Sequence, residues 1–135
     1  MTNLVDANVL SEPSKTAPSA RVVEWLRRNE PELAVDPIIL GEIHYGILLL
    51  PAGKRRRRLD RWFKQGVAKL ACLAWDMTTG MRWAKLLAGL RASGEAMPIK
   101  DSLIAATALV HGMTVVTRNV RDFQKAKVKV VDPFV

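Results

Sequence analysis

Short apolar runs that end in a polar or acidic residue alternate along this chain with longer stretches of helical apolar spacing. Leu4-Val5-Asp6-Ala7-Asn8-Val9-Leu10 reads as a short buried strand that delivers a carboxylate, Asp6, at its C-terminal end. Ser11 to Ser19, with two prolines, reads as a loop. From Ser19 to Asn29 the spacing predicts a helix whose apolar face is Val22, Val23, Trp25 and Leu26. Leu33-Ala34-Val35-Asp36 repeats the strand-then-acid pattern and breaks at Pro37.

Ile38 to Leu50 and Lys54 to Gln65 predict two helices joined by Pro51-Ala52-Gly53, short enough for an antiparallel hairpin. Glu42 sits among Ile39, Leu40, Ile43 and Ile47, on a face that otherwise belongs to the core. Leu70 to Ala74 is a further short strand, and Thr78 to Ala92 returns to helical spacing. Ser93 to Lys100 reads as a loop, after which Asp101 opens a helix, Ser102 to Val110, apolar nearly all round. Gly112 stands at the expected C-cap. Thr114 to Thr117 is a β-branched strand, Arg118 to Phe123 a polar turn and Val128 to Val131 a last strand. Short strands alternating with helices predict an α/β fold with a mainly parallel sheet.

The 135 residues suit one domain, residues 1–135, with a single core. No apolar run is long enough to span a bilayer and the N-terminus does not read as a signal peptide, so no membrane partner and a cytoplasmic location are expected. Cys72 is the only cysteine, which excludes an intrachain disulfide and a cysteine-rich zinc site. With 21 Lys and Arg against 13 Asp and Glu, the formal net charge of +8 favours an acidic partner, nucleic acid or an acidic protein.

Against that basic background the acids matter most. Asp6 and Asn8 also suit an Asx turn, Asp101 a helix cap and Asp122 a turn, while Glu42 could pair with an arginine. Read together, Asp6, Glu42, Asp101 and either Asp122 or Asn119 would converge at one end of the sheet. Carboxylates so placed repel one another and stay ionised only with a compensating cation. Oxygen ligands without a Cys or His cluster select a hard ion, Mg²⁺ or alternatively Mn²⁺. Such an ion activates water and stabilises charge on a phosphoryl oxygen, as phosphodiester hydrolysis requires.

Val5-Asp6-Ala7-Asn8-Val9-Leu10-Ser11, Gly41-Glu42-Ile43-His44-Tyr45-Gly46, Asp101-Ser102-Leu103-Ile104-Ala105-Ala106-Thr107-Ala108 and Val116-Thr117-Arg118-Asn119-Val120-Arg121-Asp122-Phe123 resemble the successive motifs of the PIN-domain family. In particular they resemble the VapC-type toxins of bacterial and archaeal toxin–antitoxin systems. The match runs from about residue 3 to residue 134. The resemblance implies a three-layer α/β/α fold with a sheet of about four to five strands. It further implies a Mg²⁺- or Mn²⁺-dependent endoribonuclease, with Asp6, Glu42, Asp101 and Asp122 as catalytic metal ligands and products bearing a 5′-phosphate and a 3′-hydroxyl. A cognate antitoxin, and a homodimer or toxin–antitoxin hetero-oligomer, are the implied protein partners. Ala7 stands where members typically carry Thr, and Asp36 and Ile39 where Ser and Thr are frequent.

Candidates for substrate contact are Asn8, Ser11, Thr117, Arg118 and Asn119, with Arg55 to Arg58 and Arg121 available to the RNA backbone. Asp36, acidic and near Glu42, is a candidate for the outer shell. His44 reads as a packing or surface histidine, Lys100 as a solvated lysine ahead of a phosphate holder, and Trp25, Trp62, Trp75 and Trp83 as core or interface anchors. Two other functions fit parts of this pattern. One is a housekeeping PIN nuclease of RNA processing, and the other is a basic nucleic-acid-binding module in which the acids hold only a structural metal.

Overall fold

In a computed structural model describing residues 2–135, with Met1 outside the described residues, every strand is short and runs parallel to its neighbours. The strands are β1 (Asn3–Val5), β2 (Leu33–Val35), β3 (Ala71–Cys72), β4 (Thr114–Val116) and β5 (Val130–Val131). They lie in the order β3-β2-β1-β4-β5. Asn3 pairs with Leu33 on one side and with Thr114 on the other. Both outer strands are only two residues long, which leaves little free edge for another chain to pair with.

The helices are α1 (Ala7–Leu10), α2 (Ala20–Arg28), α3 (Pro37–Leu48), α4 (Lys54–Gln65), α5 (Met77–Ala92), α6 (Ile99–His111) and α7 (Val120–Gln124). Their starts follow local chemistry. Ser19, Asp36 and Asp76 each turn a side-chain oxygen onto an orphan N–H, at Val22, Ile39 and Thr79. Pro37 occupies the first turn of α3, where its missing N–H costs nothing. Gly112 ends α6 at φ 62°, a left-handed conformation that glycine adopts without a Cβ clash. None of these helices is long and apolar enough to cross a membrane.

Leu4, Val5, Val35, Val115 and Val116 from the sheet pack with Ile39, Ile104 and Phe123 from the helices, all fully buried. The Trp75 indole N–H donates to the Leu103 carbonyl and that of Trp83 to Ser102 Oγ, both at 3.0 Å, pinning α5 and the segment that leads into it to α6. These two tryptophans are therefore anchors, as expected.

Several boundaries shift from the sequence reading, and three differences bear on the site. The first strand stops at Val5 and residues 7–10 are a helical turn, because the Asp6 carboxylate accepts the Ala7 N–H and starts a helix. The turn after β4 contains α7. Helix α6 begins at Ile99, with Pro98 as its N-cap, so Asp101 lies inside the first turn and caps nothing. The order of connections matters for function. The chain steps from β1 through β2 to β3, then returns past β1 to lay down β4 and β5. The switch point is thus the C-terminal crevice between β1 and β4, where open α/β sheets bind ligands.

Candidate active site

Asp6 leaves β1 and Thr117 leaves β4 on the two sides of that crevice. Thr117, fully buried, donates its hydroxyl to Asp6 Oδ2 at 2.7 Å, and the Ala7 N–H donates to Oδ1 at 2.8 Å. Burial nonetheless pushes the Asp6 carboxyl above its ordinary range, against the opposing pull of these bonds. Asn8 ties the two strand ends together. Its amide nitrogen donates to Thr117 Oγ1 at 3.3 Å, and its oxygen accepts the Arg118 N–H at 3.2 Å.

Glu42 reaches the crevice from the second turn of α3. Its Oε1 pairs with Lys100 Nζ at 2.7 Å, while Oε2 is buried without a hydrogen-bond partner. Asp101 comes from the first turn of α6 and is 5% exposed. Its carboxyl is pushed up to about 6, first by burial and then by the charges of Asp6, Asp122 and Glu42, with Lys100 opposing. Asp122, on α7, faces Lys125 at 3.8 Å and adds its charge to the field at Asp101. The acids singled out from the sequence therefore share one field, and Lys100 is their resident cation. Lys100 is exposed, as its solvated reading expects, and it also pairs with Glu42.

The crevice opens into a groove of about 380 Å³ between α1 and the α3–α4 pair. Glu42 lies on its wall, Ile43, Ile47, Leu59 and Trp62 line its apolar side, and Lys15, Arg55 and Arg118 bring cations to it. Ser11 lines the groove too, while its carbonyl accepts from Ser14 Oγ at 2.6 Å. Arg118 is held with its guanidinium 4.0 Å over the Phe134 ring. Asn119 is exposed, and its backbone N–H donates to Thr117 Oγ1 at 3.0 Å.

One expected contact changes role. Thr117 is sealed from solvent, so it positions Asp6 rather than meeting substrate, whereas Asn8 lines the groove while its amide also bonds to Thr117. Asp36 is corrected outright. It is fully buried, with Oδ1 accepting the Ile39 N–H at 2.9 Å and Oδ2 accepting the Thr107 hydroxyl at 2.7 Å, so it caps α3 and joins it to α6. His44 stacks on Phe63 at 5.4 Å, as its packing reading expects. The sequence reading passed over Lys15 and its partner Glu12, which also accepts the Ser19 N–H at 2.9 Å.

Among the described residues, no three acids, histidines or cysteines are close enough to form a ready coordination sphere. The donor set still fits a hard divalent ion. It is all oxygen, the charges of Asp6, Asp122 and Glu42 all bear on Asp101, and Glu42 keeps a buried oxygen with no other partner.

Comparison with known proteins bears on what such a site does. Plasmid stability protein StbB of Pseudomonas syringae pv. tomato is 37% identical over 135 residues, covering 97% of each chain. VapC ribonuclease Y4jK of Sinorhizobium fredii is 32% identical, covering 97% of this chain and 96% of that protein. The crystal structure of FitAcB from Neisseria gonorrhoeae superposes with a TM-score of 0.92 at 32% identity, covering 98% of each chain. The model of the PIN domain matches residues 4–129, and with it the motif order and the five-stranded parallel sheet agree: the chain belongs to the PIN domain family.

Proposed function

We propose that this PIN domain is the ribonuclease toxin of a type II toxin–antitoxin pair. In this reading it hydrolyses RNA phosphodiesters with Mg²⁺, or Mn²⁺ in its place, held by Asp6, Glu42, Asp101 and Asp122. The observation that carries this is the meeting of these acids at the sheet's switch point, in a chain whose formal net charge is +8. The likeness to a VapC ribonuclease over nearly the whole chain supports the same activity.

A bound divalent ion supplies an activated water and charge neutralisation at a phosphoryl oxygen. The chain supplies the rest. Thr117 and the Ala7 N–H fix both oxygens of Asp6, so that carboxylate is preorganised. Glu42 offers its unpartnered Oε2, and Lys100 holds its Oε1. Lys15, Arg55 and Arg118 hold phosphates along the groove. Water's oxygen bonds to phosphorus while the 3′-oxygen leaves and takes a proton, giving a 5′-phosphate and a 3′-hydroxyl. His44 is stacked against Phe63 and does not line the groove, so no imidazole there serves to deprotonate a ribose 2′-hydroxyl.

The second partner is an antitoxin. The groove's apolar side suits a peptide, and an arginine placed among the acids would satisfy them with a cation. Expression of the chain alone should arrest growth and degrade RNA, and co-expression of its antitoxin should relieve both. Glu42→Gln should do neither. Continued growth with intact RNA under full expression of folded protein would contradict the toxin reading.

A further inference from the structure

Helix α4 opens on Lys54-Arg55-Arg56-Arg57-Arg58, and this run works against the helix that carries it. The N-terminal turn holds the positive end of the helix dipole, where acids stabilise and cations repel. No acid stands in this first turn, and Gly53 gives no side-chain cap. Like charges three and four residues apart repel further. Lys54, Arg57, Arg58 and Arg61 fall at such spacing, so they form one exposed stripe roughly 10 Å long at 1.5 Å per residue. A surface depression is lined by Lys54, Arg55, Arg57, Arg58 and Arg61 and nothing else. None of these five makes an ion pair among the described residues, since Asp60, the only acid of α4, is taken by Lys64 at 2.8 Å. An ordinary solvated helix face mixes its signs. This one does not.

Arg55 belongs to two surfaces at once. It lines the cationic depression, and with Leu59 and Trp62 it also lines the groove on which Glu42 lies. The basic stripe and the acidic crevice are therefore joined through one guanidinium. We infer that the exposed cationic stripe of α4 is a track for the phosphate backbone of single-stranded RNA, with Arg55 handing the strand into the groove. The inference rests on the ribonuclease reading of that groove. A polyanion fits better than a protein partner because the stripe has no apolar centre, and protein interfaces deplete charge at theirs. Contacts to phosphates alone carry no sequence information, so the stripe sets affinity and path while the groove sets the cut.

The test uses full-length Asp6→Asn protein, which binds without cutting, and a fluorescent single-stranded RNA followed by anisotropy across salt. Arg57→Gln/Arg58→Gln/Arg61→Gln should weaken binding tenfold or more. It should also reduce the slope of log affinity against log salt by about 2, at roughly 0.7 per phosphate contact. Arg55→Gln alone should weaken binding several-fold. A charge-matched control on α2, Arg21→Gln/Arg27→Gln/Arg28→Gln, should change the slope by less than half as much. The α4 triple variant should melt no lower than its parent, and up to a few degrees higher, because relieving repulsion stabilises the helix. Equal losses from the α2 and α4 variants would overturn the track in favour of net charge. Unchanged affinity and slope, with parent protein that binds RNA and wild type that cuts it, would overturn the track and leave the ribonuclease reading standing. Wild type that neither binds nor cuts RNA would overturn both.

Discussion

Lys100 Nζ lies 2.7 Å from Glu42 Oε1 and so places an ammonium in the field that Glu42, Asp101 and Asp6 share. That bond raises the lysine's own pKa, with the Glu42, Asp101 and Asp6 charges adding to it. Lys100→Met should therefore move the Asp101 carboxyl above its value of about 6, since one cation that favours its ionised form is gone. Carboxyl-detected NMR titration of metal-free protein checks this. The fold itself should lose no more than about 1 kcal/mol, because the pair is partly exposed.

The raised carboxyl of Asp101 also fixes a pH dependence. Its folded pKa of about 6 lies above the ordinary 3.8, so between these values the folded state binds more protons than the unfolded one. Stability of the metal-free protein should fall as pH rises through that window, by on the order of 3 kcal/mol, and stay low above it. Buried Asp6 and Asp36, also shifted upward, act in the same direction. Melting curves at pH 4.5 and pH 7 check the sign. Added Mn²⁺ should stabilise more at pH 7 than at pH 4.5, where a proton must leave first.

Thr117 separates positioning from contact. Thr117→Val keeps the shape but removes the hydroxyl that donates to Asp6 and accepts from the Asn119 N–H. It should cost about 1–3 kcal/mol in stability and lower kcat more than it raises KM. Thr117→Ser, which can restore the bond, should recover most of the rate. A larger effect on KM than on kcat would instead make Thr117 a substrate contact.

Asp36 and Asp6 show where the sequence stops informing. Each follows an apolar run, Leu33-Ala34-Val35 or Leu4-Val5, and each starts a helix, so locally they are the same signal. Topology separates them. Strand β1 borders the switch point, whereas the end of β2 is covered by α6, whose Thr107 claims Asp36. Periodicity reports which face of an element is apolar, and that made the strands, the helices and the odd position of Glu42 legible. It does not report which strand returns beside which. Lys100 with Glu42, and Thr117 with Asp6, are partners across 58 and 111 residues, and no local spacing links them.

The same contrast gives a control. Asp36→Ala should destabilise the protein by about 1–2 kcal/mol through the lost α3 cap, with Thr107 left unpaired. The folded variant should bind Mn²⁺ as the wild type does, by calorimetry. Asp101→Ala should do the reverse, keeping or gaining stability in metal-free protein while losing Mn²⁺ affinity tenfold or more.

The most direct test of the central claim is cleavage of RNA by purified protein, with Mg²⁺, with Mn²⁺ and with chelator, beside Asp6→Asn. Cutting that requires the divalent ion, leaves 5′-phosphate ends and drops at least a hundredfold in Asp6→Asn is the predicted result. Equal cutting by wild type and variant, or undiminished cutting in chelator, would contradict the account.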